Sequence, residues 1–215
     1  MSGIQQSRVA VIGGGIFGTT CALVLGERFR VTLFERHSDI LQEASYKNQY
    51  RHHGGYHYPR SPATIQEIRS ATKDFEEFYH SAILTRFPSY YAVAKEGSKI
   101  TAEEFLRVCD EFGLPYVREY PDPRVLNPAA VDVCIRTPEA IYDHGALKHF
   151  IRKKLSDAAI EMRLNCAIVG AEMDDAGAKI LTSDDGQTRL REKFDYVINA
   201  TYAHYNDFCG WLGFP

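Results

Sequence analysis

Apolar runs alternate with glycine-rich breaks in the first 35 residues of the chain. Arg8–Ile12 is a short run rich in β-branched residues and followed by glycines, as expected for a strand that is covered on both faces of a parallel sheet. Ile16–Leu25 has apolar positions at helix-compatible spacing, and Gly26 predicts the end of that helix. Arg30–Phe34 predicts a second strand. The chain is therefore predicted to begin with one βαβ unit.

Amphipathic helices are predicted further along the chain. Ser61 is a candidate N-cap and Pro62 a candidate first-turn residue of a long helix, whose apolar positions repeat near the helical period. Thr101 and Glu104 have the spacing of a capping box, which predicts the start of a second helix. A third helix is predicted over 143–156.

The middle of the chain has the pattern of an insertion. Tyr90–Ala94 and Val131–Ile135 predict strands. Between them, Tyr120–Pro128 contains too many prolines for either regular element. We therefore interpret 87–142 as a segment inserted between the two parts of another domain, 1–86 and 143–215.

Short β runs follow Met162. They are interrupted by Asp174–Gly177 and Ser183–Gly186, both of which have hairpin-turn chemistry, so a β-meander is predicted. Asp195–Asn199 is again apolar with a polar end, which predicts a strand that returns to the parallel sheet.

Composition narrows the class of protein. The 215 residues are 45% hydrophobic and 25% charged, which is typical of a globular protein with a buried core. The net charge of -3 gives no sequence-wide reason to bind nucleic acid, so a small-molecule substrate is expected. The five cysteines lie far apart, which predicts buried thiols in a reducing compartment. Because the apolar runs are too short for a membrane span, we expect a cytoplasmic location.

Gly13, Gly15 and Gly18 lie at the predicted junction between the first strand and the helix. A dinucleotide pyrophosphate needs glycines here for a tight turn, for close backbone approach and for close helix packing, respectively. Free N–H groups and the positive end of the helix dipole would then meet the phosphate charge. The alternative is a glycine-rich turn in an unrelated α/β domain.

Glu35 ends the second predicted strand, where a carboxylate can accept hydrogen bonds from ribose hydroxyls. An acid at this position would repel a 2′-phosphate, which favours FAD or NAD over NADP. The alternative is a solvated charge at a strand end. Arg36 is a candidate cofactor neighbour, and a surface position without contact to a ligand is favoured for it.

Residues 44–60 combine polar, aromatic and glycine residues without a core pattern, which predicts a site loop. His53 and His57 have a spacing seen in metal sites, but no carboxylate or cysteine stands at ligand spacing, so no metal is predicted. A tyrosine-rich packing loop is the alternative interpretation.

Two of these motifs resemble the D-amino-acid-oxidase superfamily of flavoproteins. Val9–Gly18, which includes Ile16 and Phe17, together with Leu33–Glu35 further along the chain, is similar to the opening of that family. The spaced pattern Ser45, Asn48, His53, Gly54, Gly55, Tyr58 resembles the segment after strand two in the glycerol-3-phosphate dehydrogenase and L-2-hydroxyglutarate oxidase branches. The resemblance implies that Ser45 and Asn48 lie near the FAD and that the stretch from His53 to Tyr58 runs towards the flavin ring.

The third match is Asp195–Thr201, which looks like the family strand that returns beside FAD. The resemblance implies that Ala200 and Thr201 contact the cofactor and that the backbone near Ile168 contacts adenine. Tyr202 departs from the family pattern, because relatives usually have glycine there. Relatives also continue well beyond this length, so we expect a C-terminally truncated chain, a fragment, or one half of a two-chain enzyme.

The predicted fold is α/β: a Rossmann-like FAD-binding domain with a β-meander and an inserted part of a substrate domain. The predicted activity is FAD-dependent oxidation of a CH–NH or CH–OH group in a small amino acid, amine or 2-hydroxy acid, by hydride transfer to flavin. His53 is the candidate base, Tyr58 a further candidate catalytic residue, and Arg51 and Arg60 candidate partners of a substrate carboxylate. An NAD-dependent reductase and a non-catalytic nucleotide-binding subunit are the alternatives.

Overall fold

A computed structural model describes residues 6–214. The chain divides into two compact units, one formed by Met1–Asn48 with Lys148–Pro215 and the other by Gln49–Leu147. We call them the outer unit and the inner unit, after their order along the chain.

The described residues form thirteen strands and five α-helices, whose bounds are as follows. The strands are β1 (Arg8–Ile12), β2 (Arg30–Phe34), β3 (Arg51–His52), β4 (Ile83–Leu84), β5 (Ser89–Ala94), β6 (Val117–Arg118), β7 (Val131–Thr137), β8 (Ala140–Tyr142), β9 (Glu161–Arg163), β10 (Ala167–Met173), β11 (Lys179–Asp184), β12 (Arg189–Phe194) and β13 (Tyr196–Asn199). The helices are α1 (Ile16–Gly26), α2 (Pro62–Tyr79), α3 (Ala102–Glu111), α4 (His144–Asp157) and α5 (Tyr205–Trp211).

A parallel sheet of order β13-β1-β2-β9 organises the outer unit. The predicted βαβ unit is confirmed, and so is the return of the last strand, because β13 pairs in parallel with β1 from Val9 opposite Tyr196 to Ile12 opposite Asn199. The carboxyl ends of these strands therefore lie at one edge, where α/β folds bind their ligands. The sequence pattern did not indicate β9, because a three-residue strand is too short to show a period.

The predicted β-meander is confirmed. β10, β11 and β12 form a separate antiparallel sheet, with turns after Met173 and after Asp184. Its buried side chains pack with those of the parallel sheet in one core cluster of the outer unit: Ala10, Ile12, Phe34, Cys166, Leu181, Phe194 and Phe208. The meander thus covers an apolar surface that the short strands could not bury alone.

Two small antiparallel sheets form the strands of the inner unit. β5 and β6 flank β7, which confirms the predicted strands 90–94 and 131–135, and β3 and β4 flank β8. α3 packs its buried face, including Phe105 and Cys109, into a cluster with Ile65, Val93 and Ile135. The predicted site loop therefore contains a short strand, β3, which forms because β8 supplies the missing hydrogen-bonding partner.

The helix starts confirm one predicted cap and correct the other. The Thr101 side chain accepts from the Glu104 backbone and the Glu104 side chain accepts from the Thr101 backbone, so the capping box is present. Ser61 precedes α2 as predicted, but its hydroxyl is bonded to the hydroxyl of Thr64, 2.7 Å away, and makes no cap hydrogen bond. The Ser61 side chain therefore reaches the first turn of α2 but contacts a side-chain hydroxyl there instead of a backbone N–H group.

The two compact units do not coincide with the predicted bounds 1–86, 87–142 and 143–215. The segment from Gln49 belongs to the inner unit because β3 pairs with β8. Those bounds remain a prediction about the family's domain plan. All five cysteines are free, although Cys21 and Cys209 are only half-buried. No helix in residues 6–214 combines the length and apolar character that crossing a membrane requires.

Candidate functional site

Glycine is sterically required in the turn between β1 and α1. Gly13 has a φ of 104°, and a Cβ on it would lie 2.6 Å from the carbonyl oxygen of Ala200. A Cβ on Gly18 would lie 1.8 Å from the carbonyl oxygen of Gly13, and one on Gly15 would lie 3.3 Å from Oγ of Ser45. The turn is therefore closely packed by backbone, as a dinucleotide-binding turn must be.

Glu35 is buried at the end of β2, with 8% of its surface exposed. Its Oε2 accepts from the backbone N–H of Gly14 at 2.6 Å and its Oε1 accepts from that of His37 at 2.8 Å. Each carboxylate oxygen has a second lone pair, so the group can still accept from a ribose hydroxyl. Burial and these contacts exclude the alternative of a solvated charge.

Ser45 lies against the first turn of α1. Its Oγ accepts from the backbone N–H of Ile16 at 3.0 Å. We expected the N–H groups at this helix start to be free, and this one is not. Gly15 occupies the N-cap, and the side chain of Phe17 is 76% exposed. The serine hydroxyl and the helix start therefore converge on one point, where the helix dipole favours an anion.

Ala200 and Thr201 follow β13 and line the other side of the glycine turn. The N–H group of Ala200 donates to the carbonyl oxygen of Ile12 at 2.9 Å, and the hydroxyl of Thr201 donates to Oδ1 of Asn199 at 2.6 Å. Tyr202 is 80% exposed and has a φ of 51°. Tyrosine thus occupies a left-handed backbone conformation at this position, which is uncommon for a residue other than glycine.

Three further candidate residues have less direct positions. Arg36 is exposed, and its Nη1 lies 3.0 Å from Nε2 of His204, so the favoured surface position agrees with the structure. Asn48 donates to the carbonyl oxygen of Ala44 at 2.7 Å. Ile168 is partly buried and packs on the outer-unit core.

Together, these residues of the outer unit fit a dinucleotide whose ribose has no 2′-phosphate. The cradle formed by Gly13, Gly15 and Gly18 would be filled by any Cβ, Ser45 lies beside it at the start of α1, and Glu35 supplies buried acceptor oxygens. The side chain of Asn199, within the third matching segment, holds the residue after Ala200.

In the inner unit, His53 has an unusual environment. Its Nδ1 atom is buried and has no hydrogen-bond partner among the described residues. Burial lowers the pKa of His53 below its usual value, helped by the nearby Arg51, His57 and His52 and opposed by the negative charge of Glu139. The lowered pKa favours the neutral form of His53, which is the form that can accept a proton.

Arg51 and Arg60, the two candidate partners of a substrate carboxylate, differ in whether their side chains are already engaged. The Nη2 atom of Arg51 donates to Oε2 of Glu139 at 2.8 Å, and its guanidinium lies 4.4 Å from the ring centroid of Tyr91. Arg60 is exposed. Tyr58 is partly buried against the inner-unit core, with its ring 6.2 Å from that of His53. Glu139 was not identified from the sequence. Its contact with Gly54 spans 85 positions, and no local sequence pattern predicts such a pairing.

His52 has a structural position. Its Nε2 lies 2.9 Å from Glu76 and its Nδ1 lies 2.8 Å from the hydroxyl of Tyr142, so both ring nitrogens are occupied. It also lines an open cleft of about 550 Å³ beside α2, but His53 is not among the lining residues. In residues 6–214 no three histidine, cysteine or acidic residues are grouped as metal ligands.

Comparison with known proteins identifies the family. The model of the DAO family, described as FAD dependent oxidoreductase, matches residues 8–211. The chain is 31% identical over 207 residues to the FAD-dependent monooxygenase FPY4 of Fusarium mangiferae, covering 95% of this chain and 52% of that protein. It is also 31% identical over 208 residues to the FAD-dependent monooxygenase kojA of Aspergillus flavus, covering 91% and 46%. The chain thus spans about half the length of these relatives.

Solved structures confirm the predicted α/β fold. Glycine oxidase from Geobacillus kaustophilus matches with a TM-score of 0.74 at 16% identity, over 96% of this chain and 59% of that one. The L-alpha-glycerophosphate oxidase of Mycoplasma pneumoniae, solved with FAD bound, matches with a TM-score of 0.74 at 17% identity, over 97% and 57%. The family match also decides between the candidate cofactors in favour of FAD. The chain therefore belongs to the DAO family of FAD-dependent oxidoreductases.

Proposed function

We propose that the outer unit binds the ADP portion of FAD at the carboxyl edge of its parallel sheet. The observation that carries this proposal is the crowded glycine turn beside a buried acid: Gly13 and Gly18 leave no room for a Cβ, and the Glu35 carboxylate is bonded to the turn at Gly14. In this arrangement the pyrophosphate contacts Gly15 and the start of α1, next to Ser45, and Ala200 and Thr201 line the opposite side.

We further propose that the whole protein oxidises a CH–NH or CH–OH group in a small amino acid, amine or 2-hydroxy acid. When bound, FAD supplies the hydride acceptor. His53 takes the proton from the substrate nitrogen or oxygen, supported by the lowered pKa and by the unpartnered Nδ1 atom. The family resemblance directs the segment from His53 to Tyr58 towards the flavin ring.

Substrate carboxylate recognition is assigned to Arg60 in this proposal. Its exposed guanidinium is available for a bidentate pair with a carboxylate. Arg51 would first have to leave both Glu139 and Tyr91, which would remove the positive charge that pairs with a buried carboxylate. We therefore revise the expected role of Arg51 from substrate binding to support of the loop.

Monooxygenation is the second candidate function, because both similar curated proteins are described as FAD-dependent monooxygenases. The two reactions differ in the fate of dioxygen. Dehydrogenation by an oxidase releases hydrogen peroxide, whereas a monooxygenase transfers one oxygen atom into the product. Labelled dioxygen with mass analysis of the product distinguishes them.

The direct test begins with the visible spectrum of the purified protein and with titrations of FAD and of NADH. We expect flavin absorbance, or binding of added FAD that is tighter than binding of NADH. A panel of amino acids, amines and 2-hydroxy acids, added anaerobically, is then expected to bleach the flavin. A protein that never binds FAD contradicts the cofactor proposal, and one that binds FAD but is reduced by no compound in the panel favours the monooxygenase or the non-catalytic subunit.

A further inference from the structure

A buried carboxylate lies next to the proposed catalytic loop. Glu139 follows β7, and only 1% of its side chain is exposed. Its Oε2 accepts from Nη2 of Arg51 at 2.8 Å and from the hydroxyl of Tyr91 at 2.7 Å, and its Oε1 accepts from the N–H group of Gly54 at 2.6 Å. A carboxylate without water must have such partners, because an unpaired buried charge is strongly destabilising.

The partners of Glu139 bracket His53 along the chain. Arg51 lies two residues before the histidine and Gly54 lies directly after it, so one carboxylate holds the Arg51 side chain on one side of His53 and the Gly54 backbone on the other. The carboxylate is itself anchored, because the hydroxyl of Ser89 donates to its backbone carbonyl at 3.0 Å. Glu139 thereby links the loop that carries His53 to β5 and to the end of β7.

Glu139 also acts on the charge of His53. Of the ionisable groups around that ring, Glu139 alone favours the protonated form, while Arg51, His57 and His52 oppose it and burial opposes it most. A residue that both fixes the backbone and contributes negative charge can set the orientation and the protonation of an imidazole.

We propose that Glu139 is the positioning residue of His53, holding its ring in place through Arg51, Tyr91 and the Gly54 N–H group. This inference rests on the proposed role of His53 as the base. Glu139 does not contact substrate in this scheme, and its effect on any reaction passes through the histidine.

The test is a pH titration of the histidine ring signals by NMR in the purified chain, with His53→Asn used to assign the His53 signal. Glu139→Gln keeps the shape of the side chain and removes its charge. We expect the His53 signal to move and its titration midpoint to fall to lower pH. A folded Glu139→Gln protein whose His53 signal and midpoint match those of the wild type overturns the proposal.

Glu119→Gln is the matched control. Glu119 accepts from the hydroxyl of Tyr90 and from Nε of Arg136, both at 2.8 Å, but its side chain is 39% exposed. The Glu119→Gln substitution therefore disturbs the same kind of partners, a tyrosine hydroxyl and an arginine. The His53 signal is expected to stay at its wild-type position in this variant. An equal response to both substitutions would mean that Glu139 has no specific role. If Glu139→Gln does not fold, Tyr91→Phe, which removes a single hydrogen bond, must still displace the His53 signal, and no displacement overturns the proposal.

The outcome can be separated from that of the proposed function. Flavin reduction by substrate is measured in the wild type and in His53→Asn. If the rate survives in His53→Asn, His53 is not the base, whereas the NMR result still decides whether Glu139 positions it. If the rate is lost but Glu139→Gln leaves the titration unchanged, the base assignment stands and the positioning role is wrong.

Discussion

The carboxylate of Glu35 accepts a hydrogen bond from the backbone N–H of Gly14, with Oε2 and the nitrogen 2.6 Å apart. A Cβ on Gly14 would lie 2.9 Å from that same oxygen. A residue with a Cβ at this position would therefore have to displace the Glu35 carboxylate. Glu35 stabilises the turn, in addition to the ribose contact that we propose for it.

Replacing Glu35 with glutamine tests both roles. The amide has one acceptor oxygen, so the N–H group of Gly14 or of His37 loses its acceptor, at a cost of about 1 to 3 kcal/mol in the free energy of unfolding. We expect FAD affinity to fall by about tenfold, which corresponds to about 1.4 kcal/mol. Thermal unfolding and an FAD titration measure the two effects. Glu43→Gln is the control, because Glu43 is exposed, and an equal loss in both variants would contradict the special role of Glu35.

Alanine at position 18 should disrupt the turn. The added Cβ would lie 1.8 Å from the carbonyl oxygen of Gly13, so backbone must move. We expect a loss of about 2 to 3 kcal/mol in the free energy of unfolding, in the upper part of the range for overpacking, and weaker FAD binding. Gly210→Ala in α5 is the matched control, because a Cβ there meets nothing within 4 Å. Denaturant unfolding of both variants is the measurement, and equal stability would refute the steric argument.

Glycine at position 202 should stabilise the chain. Tyr202 has a φ of 51° and is 80% exposed, so its removal relieves backbone strain and loses little packing. We expect a gain of about 0.5 to 1 kcal/mol, because a left-handed residue costs roughly 1 to 2 kcal/mol and glycine loses more entropy on folding. Tyr202→Ala retains the Cβ and should give no such gain. A stability of Tyr202→Gly at or below that of Tyr202→Ala would show that the backbone is not strained.

The lowered pKa of His53 predicts a pH dependence of stability. Between its folded pKa and its usual value, the unfolded chain binds a proton that the folded chain does not. His53 should therefore make the free energy of unfolding decrease as pH falls below about 6.5, until the folded pKa is passed. Urea unfolding between neutral and mildly acidic pH should show a smaller decrease in His53→Asn than in the wild type. His149→Asn, at an exposed position, should retain the wild-type slope.

Local patterns were sufficient for the regular elements of the outer unit. The bounds of β1, β2 and α1 follow from apolar periodicity and from Gly26, because each depends on residues only a few positions apart. The capping box at Thr101 is equally local. The glycine turn also follows from sequence, since a strand, three glycines and a helix leave few alternatives for its backbone.

Contacts between distant residues were decided by tertiary structure. Ser45 meets the N–H group of Ile16 across 29 positions, and Glu139 meets Arg51 across 88, and neither pairing leaves a local sequence signal. β9 and β3 are strands because neighbouring strands complete their hydrogen bonds. The sequence by itself thus determined the cofactor-binding motif and the family resemblance. Packing decided which acid holds the His53 loop, because only the folded chain brings a buried carboxylate and its donors within hydrogen-bonding distance.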